Sequence, residues 1–296
     1  MTDQSTVQDV WGQQSVWSQV ANRMKTSISR TQSTALALTI GSAVLGALAG
    51  TSGVPAPAAS VLAVVAAVGV GLVPVLRPRW SGAVLRDWTR ARSVSEALKS
   101  EVYLYLAGAG DYAGADRDAR LTTATDTVVD NASDLLRHTT GIEPVRRELP
   151  GVGDHDSYFQ IRVDGQIDGF YRSRARQMQI WLSRFRRAEL VLAVAGVVLG
   201  AVAARFPGWG LGIWIAVVTT VTAAVAAHIA AARYDYQLVE YLRTAGELAR
   251  LRRAAGRTTS PAEVDDLVRQ CERIISIQNE GWMAKLASDP AAQPTG

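Results

Sequence analysis

Residues 31–76 contain no Asp, Glu, Lys or Arg, and residues 190–232 contain only Arg205. A helix at a protein surface keeps one wet face, so two uncharged runs this long point to lipid rather than to a soluble core. The hydrocarbon of a bilayer needs about 20 apolar residues per helix, at about 1.5 Å of rise each. Each run is roughly twice that length and carries turn chemistry at its centre. Gly53, Pro55 and Pro57 divide the first into spans at about 34–51 and 58–76, and Arg205, Pro207, Gly208 and Gly210 divide the second into spans at about 188–204 and 211–232. The expectation is an all-α integral membrane protein with two transmembrane helical hairpins, four spans in all. The first run begins some thirty residues in and lacks a cationic segment near Met1, which argues against a cleaved signal peptide.

Charge then sets orientation. Residues 1–33 hold three Lys and Arg, residues 77–187 hold eighteen and residues 233–296 hold nine, whereas the two hairpin turns hold only Arg205. Positive residues stay on the cytoplasmic side, so both termini and the middle segment are expected there, in a membrane crossed several times. The net charge of +4 is then a mark of topology, and no nucleic-acid partner is expected. Trp80, Trp181, Trp209, Tyr234 and Tyr236 fall near span ends, where amphipathic rings prefer to sit.

The remaining sequence is patterned for amphipathic helices. Val84, Leu85, Trp88, Ala91, Val94, Leu98, Val102, Tyr105 and Leu106 recur every three or four positions, and Gly108, Gly110 and Asp111 end that stripe. A second helix is predicted over about 115–137. Pro144, Pro150, Gly151 and Gly153 mark 141–160 as a linker, and helix is predicted to resume by about Ile167. After the fourth span a helix runs to Arg253, and Ser260, Pro261 and Glu263 then give the cap, first-turn and third-position residues of another. The layout repeats: a first unit over 1–140, with cytoplasmic helices at about 80–137, and a second over 161–288, with cytoplasmic helices at about 234–279, before a disordered tail at 289–296. A local match supports duplication, since Ser42, Gly46 and Gly50 correspond to Gly196, Gly200 and Ala204 at an offset of 154. Small residues at this spacing let helix backbones approach closely in lipid, so these six are candidate membrane-packing positions.

No reactive constellation stands out. A single cysteine, Cys271, excludes a disulfide framework and a cysteine-rich zinc module, and His138, His155 and His228 are far apart in sequence. Asp154, His155 and Asp156 are the one tight acid and histidine cluster, read here as a solvated loop. No metal, cofactor or enzymatic activity is expected. Thr219 and Thr222 share one face of the fourth span and, with His228, are candidate pore-lining residues; the alternative is threonines bonded back to their own helix. Arg172, Arg174, Arg176, Arg184, Arg186 and Arg187 form a basic juxtamembrane helix suited to anionic lipid head groups.

The stretches ARSVSEALKSEVYLYLAGAGDYA (91–113), YRSRARQMQIWLSRFRRAELVLAVAG (171–196) and CERIISIQNEGWMAKLAS (271–288) resemble the SLATT superfamily. These are two-transmembrane effector domains associated with SMODS nucleotidyltransferases and SLOG nucleotide sensors. The chain resembles a tandem, a type-3 unit over about 10–140 followed by a type-1 unit over about 160–288. The resemblance implies a membrane effector of a nucleotide-linked bacterial conflict system that oligomerises and opens a pore or perturbs the bilayer. It also implies, as partners, the lipid bilayer, further copies of the chain, and a nucleotide synthetase or sensor protein. A membrane-anchored scaffold, whose helices dock a soluble partner, is the competing expectation.

Overall fold

The computed structural model describes residues 3–287, apart from 52 and 233, and every regular element among them is helical. No proline interrupts the first 49 residues, and α1 (Asp3–Ala49) accordingly runs unbroken from a polar beginning through the first apolar span. α2 (Ala56–Leu76) starts behind Pro55 with a second proline in its first turn, where a missing N–H goes unnoticed. The second hairpin consists of α6 (Arg172–Arg205) and α7 (Gly212–Ala232). These helices contain the expected spans, and by length and composition the described residues hold four helices able to cross a membrane. The protein is therefore an all-α, multi-pass membrane protein.

The chain packs as two units that cut across its sequence halves. One unit, the span unit, comprises Ser27–Trp80 and Arg176–Leu238; the other, the charged unit, gathers Met1–Thr26, Ser81–Ala175 and Val239–Gly296. The span unit turns apolar side chains outward: Val64, Val68, Val75, Leu190, Val191 and Val197 are each more than half exposed. Only an apolar solvent makes that arrangement favourable.

In the charged unit α3 (Gly82–Ala107), from the first half of the sequence, packs along α9 (Pro261–Ala287), from the second. The predicted α3 stripe buries Trp88, Ala91, Val94, Leu98, Val102 and Tyr105. Gly108 ends the helix in the left-handed conformation at φ 65°, and its N–H donates to the Leu104 and Tyr105 carbonyls. α4 (Arg117–Asp130) is shorter than the helix predicted over 115–137. After Asn131 a 3-10 turn over Ser133–His138 takes over, with Leu135 in the core and Leu136 exposed. Arg90 covers the break, donating to the Asn131 carbonyl at 3.1 Å and pairing with Asp134 at 2.5 Å.

The Gly/Pro segment after Gly141 is a strap bound to the first half of α1. Gly141 turns the chain at φ 72°, a conformation that favours glycine. Gln8 Nε2 then donates to the Arg147 carbonyl at 3.0 Å, Trp11 Nε1 to the Glu148 carbonyl at 3.0 Å, and Gln19 Nε2 to the Glu143 carbonyl at 3.0 Å. The Val145 N–H donates to Ser15 Oγ at 2.8 Å. Arg147 lies over the Trp11 ring at 3.6 Å and donates to the Trp11 carbonyl and to Gln14 Oε1. Residues 8, 11, 15 and 19 are one helix face, so α1 satisfies the extended backbone as a neighbouring strand would.

Helix resumes at His155, earlier than predicted. Asp154, exposed at the end of the loop, caps α5 (His155–Tyr158) in a reciprocal capping box with Ser157, so His155 and Asp156 lie in a helix, and His155 Nε2 lies 3.9 Å from Asp265. The next thirteen residues, Phe159–Tyr171, form a π-helix that runs directly into α6. α8 (Tyr234–Ala255) and α9 follow as expected, α9 continuing to Ala287; the tail predicted at 289–296 lies outside the described residues.

Cys271 sits on α9 with no solvent exposure, and burial, reinforced by the Glu272 charge, pushes its thiol up to about 12. At pH 8 the thiolate fraction is then on the order of one in ten thousand. The native protein should therefore resist a maleimide at pH 8 and label stoichiometrically once denatured, as mass spectrometry would record.

Candidate functional site: span contacts and a buried ion pair

The small residues of the first hairpin meet specific partners. A methyl group on Gly69 of α2 would collide with Ser42 Oγ, one on Gly46 would lie 3.9 Å from Ala66 Cβ, and one on Gly50 would lie 2.9 Å from Ile213 Cδ1. A methyl on Gly46 would make only an ordinary contact and one on Gly50 would meet the movable end of the Ile213 side chain, so the tight approach in this hairpin is Gly69 against Ser42. The second ladder behaves differently. Gly196 faces Val218 at 3.6 Å, but Gly200 has open space around it and Ala204 is exposed.

On α7 the three threonines bond back to their own helix, Thr219 to the Ile215 carbonyl at 2.9 Å, Thr220 to Ala216 at 2.9 Å and Thr222 to Val218 at 2.8 Å. Thr219 and Thr220 are exposed and Thr222 half-buried, so the hydroxyls line no polar path within one chain. His228 is half-buried beside the Phe185 ring, with centroids 5.7 Å apart.

The six arginines are spread along α6. Arg172 pairs with Asp168 at 2.6 Å and Arg186 with Asp235 at 3.3 Å. Arg174 lies 5.8 Å from the centre of the Phe170 ring and Arg184 5.4 Å from that of Trp181. Arg176 and Arg187 are exposed. At least two of the six have carboxylate partners, which reduces the charge the helix offers to lipid.

A second feature was invisible in the sequence. The π-helix places Arg162, 1% exposed, against Glu272 of α9, 3% exposed, in a fork of 2.8 and 2.9 Å. Tyr158 adds a hydroxyl donor to the same carboxylate at 2.9 Å, and the Tyr103 ring covers the guanidinium at 4.6 Å. Burial would lower the Arg162 pKa, but the Glu272 charge and hydrogen bonds outweigh it and hold the group more firmly cationic than usual. Close by, burial opposes ionisation of Glu96, yet Arg92, Lys99 and Arg162 keep its pKa below the ordinary value. One guanidinium atom, Arg162 Nη1, is buried without a hydrogen-bond partner. The only sequence signal was an apolar spacing of four at 159, 163, 167, 171 and 175, slightly too long for an ideal α-helix. Among the described residues no group of His, Cys, Asp and Glu is arranged to hold a metal ion.

Residues 158–282 match the family model of the SMODS and SLOG-associating 2TM effector domain 1, and residues 15–119 match a family described as a protein of unknown function, DUF4231. The two matches fall on the two hairpin-containing halves, and the one at 15–119 fits a preceding unit of the same type. No curated protein and no solved structure matches the chain.

Two substitutions test this packing. Gly69→Ala should destabilise the detergent-solubilised protein by about 1–3 kcal/mol, and adding Ser42→Ala should recover most of the loss. Glu272→Ala should cost about 3–5 kcal/mol in denaturant unfolding, because it strands a buried guanidinium, whereas Arg162→Met with Glu272→Leu should cost less.

Proposed function

We propose that the chain, whose residues 158–282 match the model of the SMODS and SLOG-associating two-transmembrane effector domain, is a non-enzymatic membrane effector of a bacterial conflict system. It resides in the inner membrane with both termini cytoplasmic, self-associates through its spans, and on activation opens a pore or otherwise permeabilises the bilayer. A nucleotide synthetase or nucleotide-sensing protein is the partner class that the family description suggests. The family match is the observation that carries this reading.

Two physical arguments support it. The outward valines and leucines of both hairpins need lipid or another copy to cover them. A chain with four apolar spans has too little polar surface to enclose water alone, so a conducting form must be an assembly. Gly200 and Ala204, left open on α6, are positions where a second copy can approach closely.

A scaffold reading draws support from the α7 threonines, whose hydroxyls are already bonded within their own helix. Induced expression in a bacterial host, followed with a potential-sensitive dye, separates the two. The effector should depolarise the membrane and halt growth, and replacing both hairpins with unrelated anchors should abolish this. A chain that leaves potential and growth unchanged under co-expressed candidate partners and phage challenge, or that works equally well on unrelated anchors, is a scaffold.

A further inference from the structure

The π-helix raises a question that the membrane effector reading leaves unanswered. Such helices are rare, usually a single turn, and concentrated at functional positions. Here Phe159–Tyr171 extends for 13 residues and is continuous with α6, which becomes the third span. Its buried positions are Tyr158 and Phe159, Arg162 and Val163, Ile167, then Tyr171. From Tyr158 to Tyr171 the chain therefore completes about three turns, where an α-helix of that length completes about three and a half.

The two windings bury different residues. At α spacing from Tyr158 the core-facing positions become 161 or 162, 165, 168 or 169, and 172, which are Ile161 or Arg162, Gly165, Asp168 or Gly169, and Arg172. Val163 would stay on the face of Phe159, four residues before it, but Ile167 and Tyr171 would drift off that face by about 80° and about 120°, so apolar burial favours the π form and backbone geometry favours the α form. The fork from Arg162 to Glu272 pins the π form at its middle. The unpartnered Arg162 Nη1 shows that this pinning leaves one polar atom unsatisfied in the core. Gly165 and Gly169 are exposed with open space around them, so the segment has room to rewind.

We propose that the segment Phe159–Tyr171 is a two-state winding element: loss of the Arg162–Glu272 pair lets it convert from π to α, turning α6 about its own axis by on the order of half a turn relative to Tyr158. The rotation re-presents every side chain on the third span, including the open Gly200 face. Its consequence for the membrane rests on the effector reading; the winding change itself does not.

Deleting Gly165 and Gly169 together tests the idea, because the core positions then fall at α spacing, four then three then three, without any change of face. Hydrogen exchange with mass spectrometry on the full chain in vesicles supplies the readout. In the wild type, amides of 159–171 should exchange at least tenfold faster than those of 172–180 in the same continuous helix. In the deletion variant they should slow to match, Cys271 should stay unreactive, and depolarisation on expression should be lost. Equal exchange in the two wild-type segments overturns the proposal, as does a folded, slow-exchanging deletion variant that still depolarises. If the deletion unfolds the protein, Glu272→Gln decides: slowing confined to 159–171, toward the rate of 172–180, upholds the proposal, and unchanged or uniformly accelerated exchange overturns it. A wild type that never depolarises the membrane refutes the effector reading and leaves the exchange comparison intact.

Discussion

Removing a guanidinium and a carboxylate from water costs several kcal/mol for each ion, and the loss is recovered only when the pair meets in good geometry with its remaining hydrogen bonds answered. Arg162 and Glu272 meet these terms through a two-bond fork, the Tyr158 hydroxyl and the Tyr103 ring. That geometry requires the π-helix, α9 and α3 to be in place together. The charged unit is thus held in register by an interaction that tolerates little sliding, while the apolar stripe of α3 against α9 supplies the driving force. This division of labour explains how helices from opposite halves of the chain form one core. Apolar stripes alone would accept several registers.

The span unit follows a different rule. In lipid the hydrophobic effect no longer draws helices together, so close packing has to do so. Ser42 against Gly69 is a contact where the absence of a side chain is the useful property. The same chain therefore uses two kinds of specificity, charge geometry where water surrounds it and steric fit where lipid does.

How far the sequence revealed these arrangements depended on whether each left a local pattern. Spans were legible because lipid tolerates no charge over about 20 residues. The α3 stripe was legible through its spacing, and the start of α9 through Ser260 and Pro261, although Glu263 accepts from the Thr258 hydroxyl there. The strap was read only as a linker, because its bonds run from α1 side chains to main-chain atoms, and any residue offers a carbonyl. Arg162 and Glu272 lie 110 residues apart, and nothing near either signals the other. The π-helix was missed because a spacing of four falls between the patterns of a tight and a wide helix.

The strap also has a consequence for synthesis. A ribosome delivers α1 and the first hairpin well before residues 143–148 exist, so the face of α1 carrying Gln8, Trp11, Ser15 and Gln19 emerges with its eventual ligand still unmade. Membrane insertion of the first hairpin, which ends at Leu76, and completion of the charged unit, which needs α9, are separated in time by the translation of about two hundred residues. The nascent chain must keep a tryptophan face uncovered until the strap is made. The strap that covers this face is also the segment that joins the two halves, and it is complete before the second hairpin, which begins at Arg172, is made.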